Sequence, residues 1–231
     1  VCECGILVIN AQQGVEVGTE KFIRLAEKKS LPLIVAVNQL DGEKADWDLV
    51  QNSINESFGK KAVYIQFPVT TGPSFDGFVD VLTMKYYHFK DENGTREDLE
   101  IPSDLMDRAE EARQELIEKA AEYDDTLMEK FFEAGSLTED EIRKGLSIGI
   151  SKGEAYPIFC VSAKKDIGVK RLFEFTRRVA PVPTNKEEGA PSIFIYKNAV
   201  EQHLGEVSYF KVMSGTITPG IDFEDPVPGG T

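Results

Sequence analysis

The chain has 231 residues, 41% of them hydrophobic, and a formal net charge of -14. That length allows one large domain or two smaller ones, and the apolar fraction argues against disorder as the main state. The acidic balance excludes attachment to nucleic acid through a broad basic face, though not through a local patch; with no charged leader and no apolar run near the ~20 residues that span a bilayer, the expectation is a soluble, cytoplasmic protein with no membrane partner.

Gly5-Ile-Leu-Val-Ile-Asn10 reads as a buried strand with very little chain before it, as expected of a piece of a longer protein. Residues 11–16 form a loop, and Thr19 is the expected N-cap of a helix to about Lys29, with Phe22, Leu25 and Ala26 facing inward. After Pro32 come five apolar residues, Leu33-Ile-Val-Ala-Val37. Such a run is expected of a strand covered on both faces in a parallel sheet. It stops at Asn38 and Asp41, residue types that favour turns. Asp46 opens a helix to Phe58 with Trp47, Val50, Ile54 and Phe58 at helical spacing. Strand, helix, strand, helix is the rhythm of a doubly wound α/β domain.

The rhythm then changes. Val63, Ile65, Phe67 and Val69 alternate with mostly polar residues and predict a half-exposed strand. Strand-like pieces at Phe78–Leu82 and Met84–Phe89 lead to the polar turn Asp91–Gly94 and a further strand to Ile101. Three helices follow: Ser103 to about Glu122 with Leu105, Ala109, Ala112 and Leu116 inward, Asp124 to Phe132, and one opened by the capping box Thr138-Glu-Asp-Glu141 and ended by Gly153. This is an α+β unit placed inside the first domain. The α/β pattern resumes with a strand at Ala155–Val161, the tripeptide Ser162-Ala163-Lys164, and a helix Val169–Val179 entered through Gly168. Pro181-Val-Pro183 reads as a linker, and short strands at Ile193–Lys197, Glu206–Met213 and Thr216–Thr218 as the start of a β-barrel or sandwich.

Ligands of open α/β sheets bind at the carboxyl ends of strands, so Asn38, Asp41 and Ser162–Lys164 all face the expected site. Guanine suits them. Its N1–H and exocyclic amine are adjacent donors, and an ionised Asp41 has two acceptor oxygens. Asn38 is expected to hold the loop and reach N7 or O6. The Ala163 N–H is expected to face O6, Ser162 to orient the Asp41 carboxylate, and the Lys164 stem to lie along a base face. Adenine would set a donor against a donor. Each motif alone is an ordinary loop; the pair, at two strand ends, carries the reading. The remaining chemistry is sparse: Cys2, Cys4 and Cys160 have no zinc spacing, and His88 and His203 stand beside no candidate nucleophile.

Asn38-x-x-Asp41 and Ser162-Ala163-Lys164 resemble the two guanine loops of translational GTPases, and the rest of the chain resembles the bacterial elongation factor G family. Gly14-Val-Glu-Val-Gly-Thr-Glu20, Ile65-Gln-Phe-Pro68, Gly77-Phe-Val-Asp80, Ala121–Lys130, Leu137–Ile142, Tyr156–Ala163 and His203–Gly215 carry the likeness, which covers nearly the whole chain. The resemblance implies an α/β fold: a partial, doubly wound, P-loop-type G domain at 1–67 and 156–184, an α+β insertion at 68–155, and the start of a β-barrel second domain at 185–231. It implies a GTPase that binds the ribosome and moves tRNA and mRNA, with the insertion toward the ribosomal stalk and the barrel toward the small subunit. It implies GTP or GDP bound by Asn38, Gln39, Asp41, Ser162, Ala163 and Lys164, and Mg²⁺ held by residues outside this chain.

Two departures stand out. Gln39 replaces the family's usual Lys, whose ammonium ties the loop to the phosphate loop, and no Gly-x-x-x-x-Gly-Lys-Ser/Thr occurs. Asp91-x-x-Gly94 spells the family's magnesium motif but lies in the inserted unit, where a simple turn is expected. The chain alone is therefore expected to be inactive in GTP hydrolysis. Three readings stay open: a piece of a translocation factor, a piece of a divergent paralogue with weak or no turnover, and an α/β scaffold without a base site.

Overall fold

The computed structural model describes residues 2–91, 94–182 and 189–224. It divides into two compact units, one of Glu3–Pro181 and one that contains the chain from Val182 onward. The expected boundary at 184/185, the Pro183 end of the linker and the last residues from 225 lie outside the described residues.

In the first unit, β1 (Gly5–Asn10), β2 (Leu33–Asn38), β3 (Ala62–Tyr64) and β8 (Tyr156–Cys160) form a parallel sheet in the order β1-β2-β8-β3. The helices α1 (Val17–Lys28) and α2 (Trp47–Phe58) connect the first three strands. Leu33 to Val37 are all buried, as the apolar run requires of a strand covered on both sides. The Asp46 carboxylate caps α2 by accepting from Leu49 N at 3.0 Å, and Trp47, Val50, Ile54 and Phe58 pack inward.

Other expectations give way to packing. β1 is the outermost strand of this sheet among the described residues, with Ile6 and Val8 exposed and Leu7 and Ile9 buried. The helix α1 begins at Val17 with Glu16 as its uncapped N-cap, so Thr19 lies inside the helix. Its inward residues are Ile23 and Ala26; Phe22 and Leu25 are exposed.

The segment expected as one half-exposed strand is two strands in different sheets. β3 ends at Tyr64, and β4 (Gln66–Pro68) joins the antiparallel sheet β4-β5-β6-β7, with β5 at Gly77–Asp80, β6 at Lys85–Phe89 and β7 at Arg96–Leu99. Ile65 is the crossing point: its N–H donates to Ile158 O at 3.2 Å and its carbonyl accepts from Val81 N at 2.9 Å. Because both sheets close over this crossing, Val63 to Pro68 are buried apart from the half-buried Tyr64. Even Gln66 is fully buried; its amide is used in both directions.

Three helices follow β7 before the chain returns to the parallel sheet at β8: α3 (Met106–Ala121), α4 (Asp125–Ala134) and α5 (Glu139–Ser151). Ser103 does not cap α3, which starts three residues later behind Leu105; Ala109 and Leu116 are buried while Leu105 and Ala112 are half-buried. Asp124 caps α4, and Thr138 with Glu141 forms the complete capping box of α5. The helix pair α3–α5 approaches closely at Gly145, where a Cβ would stand 2.1 Å from Ala120 O. The helix α6 spans Val169–Val179, as its periodicity predicts.

In the second unit, β9 (Ser192–Glu201) and β10 (Gly205–Ser214) pair as an antiparallel hairpin. Residues 216–218, expected to be a strand, form none. No helix among the described residues is long and apolar enough to cross a membrane.

Candidate functional site

Register places the ends of three strands side by side. Asn10 pairs with Asn38, and Val37 pairs with Cys160. The ladder continues past the strands: Ala11 N donates to Asn38 O at 2.8 Å and Val161 N to Val37 O at 2.9 Å. The loops after β2 and β8 therefore leave the sheet together.

Within this edge, Asn38 Oδ1 accepts a hydrogen bond from Ala163 N at 2.9 Å across 125 residues of sequence. The structure thus joins two of the residues that sequence puts in a shared pocket. It also gives the Ala163 N–H a partner, so a guanine O6 would have to share that donor with Asn38 or displace it. The chain turns sharply after Asn38. Gln39 has φ of 65°, a left-handed conformation uncommon for a residue with a Cβ, and its carbonyl accepts from Gly42 N at 2.9 Å. Leu40 points into the core and is fully buried. The buried Leu40, next to the left-handed Gln39, anchors the loop one residue before Asp41.

Asp41 is half-buried and makes no side-chain hydrogen bond among the described residues. The Ser162 hydroxyl is buried and accepts from Lys165 N at 3.3 Å, with no hydrogen bond to Asp41 among the described residues. Ser162 and Ile167 also exchange two backbone hydrogen bonds of 3.0 Å, which close 162–167 into a tight loop with Asp166 at φ 52°. Gly168 then enters α6 at φ 77°; a Cβ there would lie 2.3 Å from Cys160 O, so glycine lets the helix start against its own strand. Gln39, Ala163 and Lys164 are exposed. The two strand-end loops thus present the half-buried Asp41 beside the exposed Gln39, Ala163 and Lys164, with Gln39 and Asp166 at positive φ.

A second arrangement went unread in the sequence. Asp80, at the end of β5, is fully buried and receives Arg171 Nε at 2.8 Å, Arg171 Nη2 at 3.2 Å, Gln66 Nε2 at 3.1 Å, and both Thr83 N and Thr83 Oγ1 at 3.0 Å. Gln66 Oε1 in turn accepts from Cys160 N at 3.0 Å, which extends the β8 ladder with a side chain. Burial on its own would lower the Arg171 pKa; Asp80 outweighs it, and the guanidinium ends raised. The readable signal was Arg171 at the same helical spacing as the buried Phe175 and Val179.

Asp91 and Gly94 belong to the turn between β6 and β7, where Thr95 N donates to Asp91 Oδ1 at 3.1 Å; residues 92 and 93 lie outside the described residues. The described residues hold no cluster of three or more His, Cys, Asp or Glu side chains placed for a metal ion. Burial pushes the Cys160 thiol well up, which leaves it a core residue and a poor nucleophile.

A family model described as the elongation factor Tu GTP binding domain matches residues 1–182. A crystal structure from Thermus thermophilus superposes with a TM-score of 0.83 at 29% sequence identity, covering 95% of this chain and 33% of the other. The chain thus spans a third of the length of that protein.

Proposed function

This chain belongs to the elongation factor Tu GTP-binding domain family of translational GTPases, and from that premise we propose that it is a piece of an elongation-factor-G-like factor whose guanine pocket is built by Asn38, Gln39, Asp41, Ser162, Ala163 and Lys164. The observation that carries the pocket is the 2.9 Å hydrogen bond from Ala163 N to Asn38 Oδ1, which ties the two loops at one sheet edge. On this reading Asp41 accepts from guanine N1–H and the exocyclic amine, Ala163 N–H is shared with O6, and the Lys164 stem covers a face of the base. Ser162 acts on the loop's own backbone rather than on Asp41.

We assign the G domain to 1–67 and 156–184, the insertion to 68–155 and the beginning of a second-domain barrel to 185–231. The whole factor would act in the cytoplasm on the ribosome, contacting the stalk and small subunit and promoting GTP-dependent movement of tRNA and mRNA. GTP and GDP are its nucleotides. The phosphates and the Mg²⁺ would be held outside this chain, since its sequence offers no phosphate loop and its described residues no carboxylate cluster for the ion. Gln39 favours a second reading, a divergent paralogue that binds ribosomes with weak or no hydrolysis: the position is exposed and carries no charge toward the phosphates.

Asp41→Asn in the full-length protein tests the pocket. An Asn amide donates where xanthine carries its extra carbonyl, so preference is expected to move from guanine to xanthine nucleotide. An unchanged preference refutes the assignment. Ribosome-stimulated GTP turnover then separates the translocation factor from the paralogue.

A further inference from the structure

We propose that the turn at Gly72–Ser74 is a bridge that holds the two base-recognition loops at a fixed spacing, and that Lys165 is a positioning residue for base selection. This inference rests on the guanine-pocket reading above and deepens it. The turn belongs to the inserted sheet, between β4 and β5, yet it bonds to both loops. Gly72 N donates to Leu40 O at 2.8 Å, one residue before Asp41. Lys165 Nζ donates to Pro73 O at 3.3 Å, one residue after Lys164.

The bridge is stiff. Gly72 is buried with φ of 81°, Phe75 N closes back on Gly72 O at 2.9 Å, and Thr70 Oγ1 donates to Ser74 O at 2.8 Å. Phe75 anchors it in the core with only 1% exposure. Leu40 is the buried residue of its loop, so the Gly72 contact acts on a fixed point rather than on a mobile tip. Lys165 has no carboxylate partner among the described residues; its side-chain hydrogen bond goes to the turn. A cleft of about 260 Å³ between them is lined by Pro73, Asp76, Lys90, Asp91 and Lys165.

A second strut points the same way. Gly94, in the β6–β7 turn, sits so close to the 162–167 loop that a Cβ would be 2.8 Å from Asp166 O. The inserted sheet therefore touches the second loop at two places and the first at one. A carboxylate that must meet N1–H and the amine, and an N–H that must meet O6, are useful together only at the spacing of one base edge. Within the parallel sheet that spacing is set by the β2–β8 register, the Val161 N to Val37 O bond and the Asn38–Ala163 contact; the bridge adds a further constraint from the inserted sheet.

The experiment compares GDP with IDP, which lacks the exocyclic amine, on the full-length protein. Lys165→Met is expected to speed GDP release and to cut the GDP-to-IDP affinity ratio by about two- to tenfold, the worth of one hydrogen bond. Lys165→Arg should restore the ratio, and the melting temperature should move little, since the half-buried Lys165 side chain makes a single hydrogen bond and no ion pair among the described residues. Gly72→Ala, which strains the other arm, should lower the ratio in the same direction. A ratio equal to wild type in both Lys165→Met and Gly72→Ala overturns the bridge. If Asp41→Asn switches to xanthine nucleotide while those two variants leave the ratio untouched, the pocket stands and the bridge alone is wrong. If the protein binds no guanine nucleotide, the pocket falls and takes the bridge with it.

Discussion

Replacing Asp80 by Asn should damage the fold more than its conservative size suggests. The wild-type carboxylate, with 0% exposure, receives five hydrogen bonds, two of them from a guanidinium that is itself only 6% exposed. Asn keeps one oxygen and turns an NH₂ toward donors. Adding the lost bonds one by one would double count, since the neighbours relax together. The governing term is the buried Arg171 charge left without its counter-charge, which costs roughly 3–5 kcal/mol. For a chain of this size each kcal/mol lowers the melting midpoint by about 2–4 °C, so a fall of roughly 6–20 °C is expected. The assay is thermal and urea unfolding of wild type, Asp80→Asn, Arg171→Met and the double variant. The double variant removes the orphaned cation and should recover part of the Asp80→Asn loss. A single-variant loss below about 1 kcal/mol, the range of an exposed pair, would refute the claim that this pair couples the inserted sheet to α6.

Gln39→Lys in the full-length protein should tighten GDP by about 5- to 30-fold, equivalent to roughly 1–2 kcal/mol for a charged hydrogen bond; equal dissociation constants by fluorescent-nucleotide titration would remove Gln39 as a cause of weak binding. Glu141 is held down to about 2, first by the hydrogen bond from Lys130 and then by the Thr138 backbone and hydroxyl. A depressed carboxyl stabilises the fold above its unfolded pKa and loses that effect as pH falls toward the folded value. The stability gap between wild type and Glu141→Gln should thus be full at neutral pH and shrink between the ordinary glutamate range and about 2, read by urea midpoints across pH. Cys2 is exposed and Cys160 buried, so a thiol reagent should modify Cys2 promptly and Cys160 only on unfolding; prompt labelling of Cys160 would contradict its place in the core.

Much of the chain was readable because its signals are local. The Leu33–Val37 run, the Asp46 cap, the Thr138–Glu141 capping box and the limits of α6 each depend on residues a few positions apart, and each appears as expected. Periodicity misled where a face had to be chosen. The α1 pattern tolerates a small rotation, and packing selected Ile23 over Phe22 and Leu25. Alternation from Val63 to Val69 looked like one strand because a change of sheet at Ile65 leaves no local mark.

The sequence alone determined where β2 ends, the turn formers that follow it and the residue types that the loops after β2 and β8 carry. The tertiary structure decided which ends meet: it inserted β8 between β2 and β3 and so laid Ala163 against Asn38. It also chose the partner of Arg171, 91 residues away, and set a turn of the inserted sheet against Leu40. Residue type dictates what a group can bond to, whereas its partner follows from the order of strands and the closure of a core, which no short window of sequence contains.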